Sequence, residues 1–500
     1  MVVFSKLLGF AREMVIAERF GTSREYDLLL IGMSAPIFFN LVFVNATNLL
    51  VVPYLAKFKL DSNSAGYRQN LWGIFSSLML IALLTAIVVT LAAPMLVKVI
   101  APNLSADQVA STVLYCRLIA VLIILGFSES FLRSALNIEK DFVYPAAGTI
   151  VMNLVAIAVI YFFSTYLSVM AIVIGLLCGT FLQVLYLLFK LAGRGAFHIK
   201  AELFGKGFRS VAKVGLVVLV VEILSRAHFL IDRHFASEMT TGVVSALNYC
   251  SMLVMLPVNV IAFAITSVTF PFLSERAHAY SLNEFSQLLL KTTRLLLVIG
   301  VPCSLFYGLF PAELVKAVYF RGEFNLISLE FTSGILQYLA PYLLMLFLYS
   351  LLIQACYAAG KQKSVLVIAV IAVILKFALT GLFTRELGYI GIPLSTTIVG
   401  LLTVMAATYL LLQANWLTFD ILFLRALAKI LAASVPIVLI AIVCRNIPGL
   451  AQNDSIIARY WVLPAACIAV ILFIIIGRVL KLSEISDFLN LVRRRQVNIE

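Results

Sequence analysis

The chain has 500 residues, of which 63% are hydrophobic and only 12% are charged. A soluble protein needs polar side chains over much of its surface, so this composition excludes a soluble protein and predicts an integral membrane protein. The formal net charge of +13 would suit a nucleic-acid partner. The basic residues, however, concentrate in short connections between apolar segments, where an excess of Lys and Arg marks the cytoplasmic side of a membrane.

Segments of about 20 mostly apolar residues predict membrane-spanning helices. The predicted fold class is therefore an all-α polytopic membrane protein with about fourteen transmembrane helices. They cover residues 3–20, 27–56, 71–97, 111–136, 143–164, 167–192, 212–236, 242–272, 288–310, 331–358, 364–384, 388–413, 426–445 and 457–478. With a cytoplasmic N-terminus, most of the 37 basic residues fall on the cytoplasmic side, so both termini are expected there.

Two short patterns recur about 220 residues apart. Leu50–Lys57 and Val268–Glu275 each close a long helix, and Ser134–Asp141 and Gln354–Lys361 each connect two helices. An even number of helices per repeat preserves orientation, so the pattern predicts two parallel, pseudo-symmetric six-helix lobes with the substrate path between them. The predicted segments are an N-terminal lobe (1–193), a basic cytoplasmic linker (194–211), a C-terminal lobe (212–415), and helices 13 and 14 with a cytoplasmic tail (416–500).

The seventh predicted helix carries several charges directly after an apolar run, among them Glu222, Arg226 and Asp232. A charge at the centre of a membrane helix costs about 2.5–3.5 kcal/mol, so these side chains need partners or a water-filled cavity. Lys376 interrupts the apolar eleventh helix in the same way. We expect it to pair with Asp232, either as a purely structural ion pair or as a charge site that changes with conformation.

The first predicted helix contains Arg12 and Glu13 within an apolar sequence. Two interpretations remain open. The helix lies on the membrane surface as an amphipathic helix, or it spans the membrane and lines a hydrated cavity whose cations attract an anionic substrate.

Four groups of residues, in order along the chain, resemble those of one transporter family. They are Gly9–Glu13 with Phe20, Gly21 and Asp27; Ser245–Tyr249 with Leu256, Pro257 and Phe270–Ser274; Phe320–Phe324; and Ala358–Lys361 with Gly388–Thr396. Together they resemble the MurJ/MviN family, the lipid-linked glycan flippases of the multidrug/oligosaccharidyl-lipid/polysaccharide exporter superfamily. The resemblance implies a MATE-like pair of six-helix lobes and alternating access for an undecaprenyl-diphosphate-linked saccharide.

The resemblance assigns Arg12, beside Glu13, to the binding of the diphosphate. Other charged positions of the family are altered here. Its paired arginines in helix 2 fall on Asn40 and Leu41, its following glutamate on Asn45, and its helix 8 arginine on Met252. These departures favour an exopolysaccharide or O-antigen-type repeat unit as the substrate, with lipid II of peptidoglycan synthesis as the alternative.

Cations from other helices are expected to replace the lost charge. We assign Arg226 and Arg117 to the substrate site together with Asn40, and Lys6 is a further candidate.

Some similar members use a sodium site between helices 7, 11 and 12. Asp232 matches its carboxylate and Thr396 its hydroxyl, while Lys376 falls at its helix 11 position. The Lys376 ammonium is therefore expected to stand where sodium would, so that transport needs no sodium at this site. We expect no metal site and no cofactor. Since no ATP-binding motif is present, an ion gradient, the membrane potential or consumption of the product must drive transport.

The expected function is that of a flippase and not of an enzyme. It would reside in the bacterial inner membrane and act as a monomer alongside glycan-synthesis enzymes, with a polyprenyl-diphosphate-linked glycan and membrane lipids as partners and no nucleic acid. A cation-coupled small-molecule antiporter of the same superfamily is a further alternative, although it would need neither helices 13 and 14 nor a cationic cavity. A polytopic membrane glycosyltransferase or polymerase would need large loops, whereas the longest connection, near 193–211, is short.

Overall fold

The computed structural model describes residues 1–61, 64–192, 202–446 and 459–485. Regular structure in these ranges is helical. The α-helices are α1 (Val2–Phe20), α2 (Arg24–Asp61), α3 (Ser64–Ile100), α4 (Ala106–Ile119), α5 (Val121–Ile138), α6 (Val143–Leu167), α7 (Met170–Ala192), α8 (Lys206–Ser237), α9 (Val243–Pro257), α10 (Phe263–His278), α11 (Leu282–Leu309), α12 (Pro311–Tyr319), α13 (Leu326–Ala358), α14 (Gln362–Leu387), α15 (Gly391–Gln413), α16 (Ile421–Arg445) and α17 (Val462–Val479).

Each of the fourteen predicted helices has a counterpart among these elements. The predicted fourth helix is divided at Ala120 into α4 and α5, and the predicted eighth is α9 and α10 joined by a π-helical turn, Val258–Ala262. That turn follows Pro257, whose missing N–H removes one helical hydrogen bond. The short helix α12 has no predicted counterpart, because its 9 residues are too few to span a membrane.

Eleven stretches within the described ranges are long and apolar enough to cross a membrane. Large apolar side chains on their outer surfaces are exposed, and Leu91, Met95 and Val479 are each at least 70% exposed. Such surfaces favour aggregation in water, whereas lipid tails cover them readily. The chain is therefore a multi-pass membrane protein, as its composition predicts.

The chain packs into two compact units. The first comprises Met1–Ser245 together with Arg321–Phe324. Its central helix is α2, which packs against α3, α4, α5 and α8, while α1 packs on α6 and α6 on α7. Phe75, Phe127 and Phe131 fill the space between α3 and α5, with ring centroids 5.1 to 6.0 Å apart.

The second unit comprises Ala246–Phe320 and Asn325–Glu500. Here α13 packs against α10, α11, α12 and α15, and α14 lies on α15. Helix α16 packs on α11 and α17 on α16. Glu484, which follows α17, is buried and forms an ion pair of 2.9 Å with Arg294 of α11.

The boundary between these units lies later in the chain than the predicted linker at 194–211. Helix α8 begins within that linker, at Lys206, and packs on α2 and α3, so the first unit extends to Ser245. Residue 193 of the predicted N-terminal lobe, residues 194–201 of the linker, the start of the fourteenth predicted helix at 457–458 and the tail after residue 485 lie outside the described residues. The bounds of the predicted lobes stay a prediction.

Two glycines allow a close backbone approach at the turn between α1 and α2. Gly21 has a φ of 50°, and a Cβ placed on it would lie 2.3 Å from the carbonyl oxygen of Glu323. Gly322 has a φ of 55°, and its Cβ would lie 2.2 Å from the carbonyl oxygen of Glu18. The amide of Glu323 donates a hydrogen bond of 2.8 Å to that same oxygen. Arg321–Phe324 is thereby held on the first unit.

Asp27 joins α2 to the beginning of α9. Its buried carboxylate accepts hydrogen bonds from the Gly242 amide at 2.6 Å, the Ser245 amide at 2.9 Å and the Ser245 hydroxyl at 2.5 Å. The first amides of a helix lack intrahelical acceptors and carry partial positive charge, so a carboxylate stabilises this end. Asp27 thus acts as a cap for a helix other than its own.

Gly21→Ala should destabilise the protein more than Gly360→Ala does. Both glycines have left-handed backbones, with φ values of 50° and 73°, where an alanine costs roughly 1–2 kcal/mol. Only at Gly21 would the methyl group also overlap a backbone oxygen, because no described heavy atom lies within 4 Å of a Cβ at Gly360. Thermal unfolding of both variants in one detergent checks this. Equal losses of stability in the two variants would show that the close approach of Gly21 to the Glu323 carbonyl adds nothing to the cost of the substitution.

Candidate substrate site and buried lysine site

Arg12 lies on α1 in a polar setting built by α1 and α6. Its Nη2 donates a hydrogen bond of 2.7 Å to Glu13 Oε1, and its Nη1 lies 3.4 Å from Asn153 Oδ1 on α6. The Arg12 side chain is 17% exposed and that of Glu13 is 6% exposed. Neighbouring residues of a helix do not normally face each other, so the guanidinium must fold back to reach Glu13. The result is a partly accessible guanidinium in a fixed orientation, suited to binding phosphate oxygens.

A second charged group connects α2 and α8. The Asn45 amide donates a hydrogen bond of 2.8 Å to Glu222 Oε2, and Arg226 Nε lies 4.0 Å from the same oxygen. The Glu222 side chain is 15% exposed, whereas that of Arg226 is 39% exposed. Because the Arg226–Glu222 contact is longer than a hydrogen bond, the guanidinium keeps donors that a ligand can use.

The other two residues assigned to the substrate site lie in different places within the first unit. Arg117 is on the exposed side of α4, and its Nε contacts the Thr90 carbonyl of α3 at 3.4 Å. Asn40 lies against α5, where a Cβ on Gly126 would come within 2.1 Å of Asn40 Oδ1. Neither is joined to Arg12 by a hydrogen bond among the described residues. Their roles in substrate binding stay predictions.

Lys376 of α14 is fully buried, and its partners lie in the first turns of α15. Its ammonium donates hydrogen bonds to the Ile392 carbonyl at 3.2 Å, the Ser395 hydroxyl at 2.9 Å and the Thr396 hydroxyl at 2.5 Å. Thr380 extends the polar group through contacts to the Lys376 carbonyl and the Ser395 hydroxyl. Oxygen atoms converge on the ammonium as they would on a small cation. The structure therefore brings together two of the three predicted residues, Lys376 and Thr396.

The third predicted residue, Asp232, lies in α8 of the first unit, whereas Lys376 lies in the second. Their pairing stays a prediction.

A buried polar network in the first unit was not predicted as a site. Glu129 of α5 accepts hydrogen bonds from Arg133 on the same helix and from Gln183 on α7. The signal was present, because Glu129 and Arg133 lie one turn apart in a predicted membrane helix.

Residues 16–464 match the model of a family described as lipid II flippase MurJ. The chain belongs to the MurJ family. A relative from Rhizobium tropici, named a probable lipid II flippase MurJ, is 26% identical over 446 residues, which cover 86% of this chain and 82% of the relative.

Two solved structures illustrate the fold. A lipid II flippase MurJ in an inward closed conformation matches with a TM-score of 0.78 at 21% identity, covering 95% of this chain and 96% of that one. An inward-facing MATE multidrug transporter of the MOP superfamily matches with a TM-score of 0.66 at 14% identity, covering 82% of this chain and 94% of that one. These likenesses confirm the predicted MATE-like helical fold.

The preference for an exopolysaccharide or O-antigen-type substrate is wrong. The family and the relative are both named for lipid II, which was the alternative. The preference rested on charges missing from α2 at Asn40, Leu41 and Asn45. The charges of α2 alone leave out its neighbour: Glu222 of α8 accepts a hydrogen bond from Asn45, and Arg226 lies 4.0 Å from Glu222. The adjoining helix thus places a carboxylate and a guanidinium beside α2.

Lys376→Ala should destabilise the protein, and adding Asp232→Asn should recover part of the loss. If the two side chains pair, removing one leaves a buried charge uncompensated, at a cost of about 3–5 kcal/mol, and neutralising the other relieves it. Lys363→Ala, at an exposed lysine on the same helix, is the control. Thermal unfolding of Lys376→Ala, Asp232→Asn, the double variant and the control measures the coupling between the two side chains. A double variant as unstable as the sum of the single changes would show that the pair does not exist.

Proposed function

We propose that this protein carries lipid II across the bacterial inner membrane by alternating access. The match of residues 16–464 to the MurJ family model carries this proposal. The arrangement of Arg12 supports it, because a guanidinium oriented by Glu13 and Asn153 suits the diphosphate of a lipid-linked saccharide. As the head group enters, N–H donors of Arg12 replace hydrogen bonds that the diphosphate loses with water, while the polyprenyl tail stays in lipid.

Arg226 is proposed as a further substrate contact. Arg226 Nε lies 4.0 Å from Glu222 Oε2, and the Asn45 amide donates a hydrogen bond to the same oxygen. The carboxylate limits the cost of placing a guanidinium within the membrane, and the loose contact leaves its donors available to phosphate or sugar oxygens. Arg117 and Asn40 remain weaker candidates, since no hydrogen bond of the described residues joins them to Arg12.

The proposed cycle moves a substrate without breaking a covalent bond, so the protein acts as a transporter and not as an enzyme. Moving one charge across the membrane is worth about 2.3 kcal/mol per 100 mV, which is enough to bias a two-state cycle. The membrane potential, an ion gradient or removal of the product by glycan-synthesis enzymes therefore suffices as the driving force.

We further propose that both termini are cytoplasmic and that the protein acts as a monomer.

We also propose that the Lys376 ammonium substitutes for a bound sodium ion. Three oxygen atoms already surround the ammonium. A second cation in the same oxygen cage would be repelled at short range in a medium of low dielectric constant.

Expression of this protein should rescue growth of a strain depleted of its own lipid II flippase. Arg12→Ala should lose the rescue while the protein remains in the membrane, because the diphosphate then lacks its oriented guanidinium. Arg19→Ala is the matched control, since Arg19 is on the same helix but contacts the Tyr161 carbonyl. Full rescue by Arg12→Ala would remove Arg12 from the mechanism. Failure of the wild-type protein to rescue would count against lipid II as the substrate.

Lipid II flipping in proteoliposomes should be the same in sodium and in choline buffers. The fixed ammonium of Lys376 makes a sodium ion unnecessary at this position. Flipping is measured from the accessibility of the head group at equal ionic strength in both buffers. A large loss of activity specific to sodium removal would contradict the substitution.

A further inference from the structure

Arg133 belongs to a polar network that crosses four helices of the first unit. Its Nε donates a hydrogen bond of 2.7 Å to Glu129 Oε1, and its Nη2 contacts the same oxygen. Gln183 Nε2 donates a hydrogen bond of 2.9 Å to that oxygen from α7. The Glu129 side chain is 8% exposed, whereas that of Arg133 is 39% exposed. A buried carboxylate therefore holds an accessible guanidinium in place.

This network continues to Arg12. Gln183 Nε2 also lies 3.4 Å from the Thr149 hydroxyl of α6, and Asn153 Nδ2 donates a hydrogen bond of 2.9 Å to the Thr149 carbonyl. Asn153 Oδ1 then contacts Arg12 Nη1 at 3.4 Å. The side chains of Gln183 and Asn153 are almost fully buried. Gln183 makes both contacts through Nε2, whereas Asn153 donates through Nδ2 and accepts through Oδ1, and these buried hydrogen-bonded amides connect the two guanidinium groups.

The charges of this network do not balance. Arg12 is matched by Glu13 and Arg133 by Glu129, but Lys6 of α1 also lies within electrostatic range of Glu129 and Arg133. Lys6 itself is exposed. Three cations against two carboxylates leave this group with a net positive charge, which attracts an anion. Arg133, with its planar donors oriented by a carboxylate, suits phosphate oxygens.

The geometry points to Arg133 as a further anion-binding residue, which receives a phosphate group of the lipid-linked substrate. Glu129 and Gln183 are positioning residues that orient it. This inference rests on the proposed function for the identity of the ligand. Lys6 is six residues before Arg12 on α1, which is about 9 Å along a helix axis. Lys6 and Arg133 therefore lie nearer the N-terminal end of α1 than Arg12 does. A phosphate bound by Arg133 would occupy a different position along the α1 axis from one bound by Arg12.

The test measures binding of farnesyl diphosphate to the purified full-length protein in nanodiscs. Farnesol, which lacks the diphosphate, is the matched ligand. Arg133→Gln should reduce the preference for farnesyl diphosphate over farnesol by about tenfold or more, as expected when a charged hydrogen-bonding group is lost. Arg133→Lys should retain part of the preference, because the charge remains without the planar donors. Glu129→Gln should reduce the preference less than Arg133→Gln, since it affects orientation only.

Arg19→Gln is the control, since it removes a cation from α1 outside this network. Structural damage alone would weaken both ligands, so the ratio of the two affinities separates binding from folding. An unchanged ratio in Arg133→Gln would overturn the inference. If that variant does not fold, an Arg133→Lys protein with the full wild-type ratio and an unaltered ratio in Glu129→Gln would overturn it equally.

Competition with phosphatidylglycerol tests the source of the phosphate. Displacement of farnesyl diphosphate at equal concentrations would indicate a phospholipid site and overturn the assignment to the substrate.

The role of Arg133 and the proposed function can be contradicted separately. Rescue of a lipid II flippase-depleted strain with an unchanged ratio in Arg133→Gln would contradict only the role of Arg133. A ratio that depends on Arg133, without rescue by the wild-type protein, would contradict only lipid II as the substrate.

Discussion

The cost of an unmatched charge within an apolar environment governs how this protein is built. Three cationic side chains of the apolar helices have defined oxygen partners. Glu13 and Asn153 hold Arg12, Glu129 holds Arg133, and the Lys376 ammonium lies among the oxygens of α15. These groups determine which helix faces turn toward each other, because lipid cannot replace the hydrogen bonds that water would supply. Apolar packing, as in the phenylalanine cluster of the first unit, then fills the remaining space.

The same constraint distinguishes two kinds of charged group. Around Arg12 and Arg133, each guanidinium is oriented by a carboxylate and stays partly accessible, an arrangement suited to an anionic ligand that enters and leaves. Around Lys376, the ammonium is fully buried and already surrounded by oxygens, an arrangement suited to a permanent occupant. A flippase needs both kinds, since its substrate must exchange while its helices stay packed.

The error about the substrate shows that the charges beside one helix also come from its neighbour. Asn45 lacks the charge that a glutamate would supply, but its amide contacts the carboxylate of Glu222. A side chain from either of two adjoining helices can place a carboxylate at the same point. The substrate therefore cannot be predicted from the charges of α2 alone, and a prediction made from α2 alone gave the wrong saccharide.

Composition and hydrophobic segment length determined the membrane class and the fourteen main helices, because every spanning segment must be long and apolar whatever its neighbours are. They also marked Arg12, Asp232 and Lys376 as anomalies. Only the tertiary structure decided the partners. It placed Thr396 and Ser395 around Lys376, joined Asp27 to the start of α9, and connected Arg133 to Arg12 through Gln183 and Asn153. Helical periodicity specifies which face a side chain occupies but not which other helix meets that face. That choice depends on the packing of helices distant in sequence, which no local pattern records.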